Sequence, residues 1–126
     1  MKKILLAASA VALFATPAFA DLAAELSTAQ THAGMAATQT DIAMAHKHLQ
    51  HAVNCLVGPS GAGFDAAAGN PCGKAGNGAI ADTTDAAQKA KLEKIASDAK
   101  MGVANADLAG AQASAKATAD AIAAAK

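Results

Sequence analysis

Residues 58–82 read G-P-S-G-A-G-F-D-A-A-A-G-N-P-C-G-K-A-G-N-G-A-I-A-D, and this stretch decides how the rest of the chain is arranged. It holds most of the glycines and two of the three prolines, Pro59 and Pro71, which predicts a loop over about 58–82. The pairs Asn70-Pro71 and Asn77-Gly78 mark tight turns inside it. Phe64 is available to anchor the loop on neighbouring helices. So long a connection in a small domain points to a working role, here a lid over the site beside it.

The flanks are helical in composition. From Leu22 to about Val57 there is no proline, a single glycine (Gly34), and much Ala, Leu, Gln and Met, so one helix is expected over about 22–57. Gly58-Pro59 ends it. Asp82-Thr83-Thr84-Asp85 offers N-cap residues for a second helix over about 83–125, interrupted only by Gly102 and Gly110. At ~1.5 Å per residue the two would be roughly 50–65 Å long. The expected fold class is all-α: an antiparallel helical hairpin of two long Ala-rich helices joined by a Gly/Pro-rich loop.

Periodicity then assigns faces. At about 100° per residue, Leu92, Ile95, Ala96, Ala99, Val103, Ala106, Gly110, Ala113, Ala117, Ala121 and Ala124 form one narrow seam along the second helix. The first helix has two apolar faces. One runs Leu22, Leu26, Ala29, Ala33, Ala37, Thr40, Met44, His48, His51, Cys55; the other runs Met35, Ile42, His46, Leu49, Val53, Leu56. A helix apolar on two sides is buried on two sides. The second helix covers one face, and a second copy of the chain is expected on the other, giving a homodimeric four-helix bundle.

Composition and charge exclude several functions. The chain has 126 residues, 53% of them hydrophobic, with no Trp or Tyr and only 2% aromatics. Ten basic residues balance ten acidic ones, which argues against nucleic acid as a partner and leaves no polybasic segment for anionic lipid. Scarce β-branched and aromatic residues argue against an α/β enzyme.

The N-terminus reads as an address. Lys2-Lys3, the apolar run Ile4–Ala15, and T-P-A-F-A with Ala18 and Ala20 at the small-residue positions describe a secretory signal peptide over 1–20, cut before Asp21. The apolar run falls short of the ~20 residues a spanning helix needs, so no stable membrane insertion is expected after cleavage. The product is a single helical domain, 21–126, in the periplasm or outside the cell. Removing 20 residues from 126 leaves 106, with eight lysines against ten acids. So small a chain calls for a disulfide, a metal or a partner.

The chemistry is confined to one window, His32 to Cys72, with H-K-H-L-Q-H-A-V-N-C (His46–Cys55) at its centre. His48 and His51 are neighbours on one helical face, Met44 lies one turn before them and Cys55 one turn after. Imidazole, thioether and thiolate donors in a row suit copper ahead of zinc. His32 and Met35 form a second His/Met pair earlier in the chain, and His46 sits on the large-apolar face. In an oxidising compartment Cys55 and Cys72 are expected as a disulfide, contributing about 3 kcal/mol and withdrawing Cys55 from the donor row. No C-x-x-C, C-x-x-C-H, phosphate-binding loop or G-x-S-x-G motif is present, and no enzymatic activity is expected.

The expected function is therefore an exported helical protein that binds a copper or zinc ion through His48, His51 and Met44, helped by His46, His32 or Met35. The alternative is a non-catalytic structural or interaction module of the cell envelope, which binds itself or another envelope protein. Noncovalent haem held by His and Met is a third option.

Overall fold

A computed structural model describes residues 20–126. The leader expected over 1–20 thus lies outside the described residues, apart from Ala20. Every regular element among the described residues is a helix: α1 (Leu22–Ala37), α2 (Ile42–Val57), α3 (Ala79–Asp82), α4 (Ala86–Val103) and α5 (Leu108–Ala125). None is long and apolar enough to cross a membrane.

The two long helices of the sequence reading are each broken in the middle. The expected helix over 22–57 ends at Ala37 and restarts at Ile42; the one over 83–125 ends at Val103 and restarts at Leu108. Aspartate capping explains both breaks. The Met44 N–H donates to Asp41 Oδ1 and the Gly110 N–H to Asp107 Oδ2, each at 2.9 Å, so these carboxylates satisfy amides left orphaned by a new helix start. Asp21 and Asp85 do the same for α1 and α4, through Ala24 and Ala87. The four long helices all begin on an aspartate.

Short turns make α1–α2 and α4–α5 antiparallel pairs. α1 packs on α2 and α5, and α4 packs on the same two, so the ring order is α1, α2, α4, α5. The four-helix bundle expected of two copies is thus formed within one chain, whose other helices cover most of both apolar faces of 22–57 and leave Met35, Thr40 and Met44 exposed. The two ends of the described chain meet where Lys126 Nζ donates to Ser27 Oγ at 3.2 Å, and Gln88 Nε2, in the first turn of α4, donates to the Ala125 carbonyl at 2.8 Å.

The core is built largely of alanine. Of its twenty-one buried apolar residues eleven are Ala, with Leu26, Leu49, Leu56, Leu92, Ile95 and Ile122 as its larger members. Small residues let the helices approach closely: a Cβ added at Gly102 of α4 would lie 2.5 Å from Ser114 Cβ on α5 and 2.7 Å from Leu49 Cδ2 on α2. The expected seam holds for Leu92, Ile95, Ala96 and Ala99 and then loses phase. Beyond the 104–107 turn the buried positions are Ala111, Ala115, Thr118, Ile122 and Ala125, whereas Ala113, Ala117 and Ala124 are exposed.

The loop is ordered by its contacts. The Cys55–Cys72 disulfide is formed, and Phe64 packs against the core. The expected loop boundary shifts, because its last residues, Ala79–Asp82, wind into the one-turn helix α3. Gly58 closes α2 at φ +69°, where any side chain would collide with the Asn77 carbonyl. Next to it lies Glu25, fully buried in the first turn of α1. Its Oε1 accepts the Gly78 N–H at 2.8 Å, and its Oε2 has no hydrogen-bond partner.

Candidate metal centre

His32 comes from α1, and His48 and His51 from one face of α2. The break at 38–41 folds α1 back along α2, which carries His32 to the level of the α2 pair. The three side chains are half-buried, and one ring nitrogen from each lies within 4.8 Å of the other two. His32 Nδ1 is 3.2 Å from His48 Nδ1 and 3.4 Å from His51 Nδ1. His32 and His48 are stacked with ring centroids 5.5 Å apart, and both stand edge-on to His51.

Those separations have a chemical meaning. Ligands at the ~2.0–2.1 Å typical of zinc–imidazole bonds sit roughly 3.3–3.4 Å apart along a tetrahedral edge. The two separations from His32 Nδ1 therefore match the spacing that one ion would impose on a pair of its ligands. Three protein ligands also leave a fourth position for water or another donor.

Protonation favours the same arrangement. The Ala68 carbonyl can only accept, so at 2.6 Å it takes the Nε2–H of His51 and leaves the Nδ1 lone pair of that ring facing His32. Burial holds His32 below the ordinary imidazole value, and His51 and His48 lower it further. His48 is lowered by burial first, then by His51 and Lys47. Neutral rings with free nitrogen lone pairs are the form that coordinates a metal.

The other residues singled out from the sequence are placed differently. Met44 and Met35 lie one turn from His48 and His32, on the side of the α1–α2 turn, and stay 41% and 43% exposed. His46 is directed elsewhere: its Nε2 donates to the Asn105 carbonyl at 2.7 Å and ties α2 to the α4–α5 turn. Cys55 is committed to the disulfide. Sequence reasoning ranked His32 as a helper, whereas its nitrogen lies between those of the other two. It missed Ala68 altogether, because a backbone carbonyl leaves no mark in a sequence. No protein-family model, curated protein or solved structure matches this chain.

Proposed function

We propose that this protein binds a transition-metal ion through the Nδ1 atoms of His32, His48 and His51. The observation that carries the reading is the convergence of three imidazole nitrogens from two helices, with His32 Nδ1 3.2 Å from His48 Nδ1 and 3.4 Å from His51 Nδ1. An all-imidazole set suits zinc and copper, and the general affinity order of divalent ions puts copper ahead. Met44 or Met35, soft donors one turn away, would strengthen that preference by filling the fourth position. The leader-like N-terminus and the disulfide support an exported protein working in an oxidising compartment.

The test is thermal unfolding with and without one equivalent of Cu(II) or Zn(II), after chelator treatment. An ion that binds only the folded chain raises Tm by mass action. The double variant His48→Ala/His51→Ala should lose that rise; a shift of the same size in the variant overturns the assignment. The competing reading, an inert envelope module, is favoured by the bonds the imidazoles already make to one another and to Ala68. It requires a wild-type Tm indifferent to both ions.

A further inference from the structure

Asn54 lies on α2 one turn beyond His51, is fully buried, and uses its whole hydrogen-bonding capacity. Its Oδ1 accepts from Gln50 Nε2 and from the Asp65 N–H, each at 2.9 Å. Its Nδ2 donates to the carbonyls of Asp65 at 2.8 Å and Gly69 at 2.7 Å. An amide has two donors and two acceptor lone pairs, so none is left over. Three of the four bonds go to loop backbone at 65 and 69, and between those anchors sits Ala68, whose carbonyl holds His51 Nε2 at 2.6 Å.

We infer that Asn54 is the positioning residue of the histidine trio: by clamping 65–69 it presents the Ala68 carbonyl that fixes His51 as its Nε2–H tautomer, with Nδ1 turned towards His32. This rests on reading the trio as a metal centre, although the tautomer is a property of the metal-free protein. A ligating histidine whose second nitrogen is held by a carbonyl is oriented before the ion arrives, and losing such a partner typically weakens binding about 10–100-fold. Without that anchor a flip of the His51 ring about Cβ–Cγ would put Cδ2 where Nδ1 now stands, 3.4 Å from His32 Nδ1, and remove a donor from the trio. Gly69 enforces the same geometry, since its φ of +97° is one that side chains rarely adopt and a Cβ there would lie 3.7 Å from His51 Nε2.

The experiment uses the full chain and two variants, Asn54→Asp and Gly69→Ala. Asn54→Asp keeps the shape of the side chain but turns both donors into acceptors facing carbonyls. Gly69→Ala strains the loop next to Ala68 and leaves the helix untouched. Long-range 1H–15N correlation spectra of the metal-free proteins report the His51 tautomer, and competitive titration with zinc(II) reports affinity. The inference expects the Nε2–H tautomer in the wild type, mixed tautomers in either folded variant, and zinc(II) binding about 10–100-fold weaker. A wild-type His51 protonated on Nδ1 overturns it, and this readout stands even if both variants fail to fold. So do folded variants that keep the wild-type tautomer and bind zinc(II) within threefold. A wild type with the expected tautomer but no zinc(II) binding sinks the metal reading and leaves the role of Asn54 in place.

Discussion

Glu25→Gln should make the protein more stable at pH 8 and leave it nearly unchanged at pH 5. Burial is the main reason: it raises the Glu25 carboxyl from the ordinary 4.5 to about 7, against the Gly78 N–H, which lowers it, while the carboxylates of Asp82 and Asp21 raise it further. Gly76 is wedged between Glu25 and Asp82, so that a Cβ on it would lie 2.7 Å from Glu25 Oε1. Asp82 is itself occupied in accepting from Asn77, through the backbone N–H at 2.6 Å and Nδ2 at 3.1 Å. Between pH 4.5 and 7 the folded chain keeps a proton that the unfolded chain has released, so stability falls as pH rises through that window. At ~1.4 kcal/mol per pH unit the whole effect is about 3.5 kcal/mol at most, and roughly 2.5 of it falls between pH 5 and 8.

Glutamine reproduces the neutral carboxyl at every pH. Its oxygen can still take the Gly78 N–H, and its amide can donate towards Asp82. Urea unfolding followed by far-UV circular dichroism, in chelator, gives the difference between variant and wild type at each pH. Using that difference removes the histidine contribution, which has the opposite sign: His32 and His48, held below 6.5, lose stability as pH falls. The expected gain for Gln is within about 1 kcal/mol of zero at pH 5 and about 3 kcal/mol at pH 8. A variant that is equally destabilised at both values would show that Glu25 works as a charged clamp, and the argument from burial would be refuted.

Replacing both Cys55 and Cys72 by Ala should lower stability by about 3 kcal/mol, read from the same urea midpoints, because the bridge restricts the unfolded chain. Gly102→Val should cost about 1–3 kcal/mol by overpacking against Ser114 and Leu49, visible as a fall in Tm. His46→Ala should cost about 1 kcal/mol through loss of the bond to the Asn105 carbonyl, yet leave zinc(II) affinity within twofold in a competitive titration.

The histidine window, the disulfide and the helical class could be read directly, because each depends on residue type or on local spacing. The breaks at 38–41 and 104–107 could not be read from glycine or proline, since neither residue occurs at those turns. Their signal was an aspartate before an aliphatic residue, Asp41-Ile42 and Asp107-Leu108, echoing Asp21-Leu22 at the start of α1. That misreading also concealed the site. Along an unbroken helix His32 and His48, sixteen residues apart, would stand about 24 Å from each other. Folded at Thr38–Asp41 they are within bonding distance. The lost phase of the second seam has the same origin, because a four-residue turn resets the angle at which the next helix presents its side chains.

An interior filled mostly with methyl groups has a thermal consequence. Heat capacity rises on unfolding in proportion to the hydrocarbon newly wetted, and alanine contributes little of it per residue. The increment here should fall below the ~12–15 cal/mol/K per residue usual for globular chains. With a small increment the dependence of stability on temperature becomes a low, broad arch, so the protein should remain folded across a wide range without being very stable at any point within it.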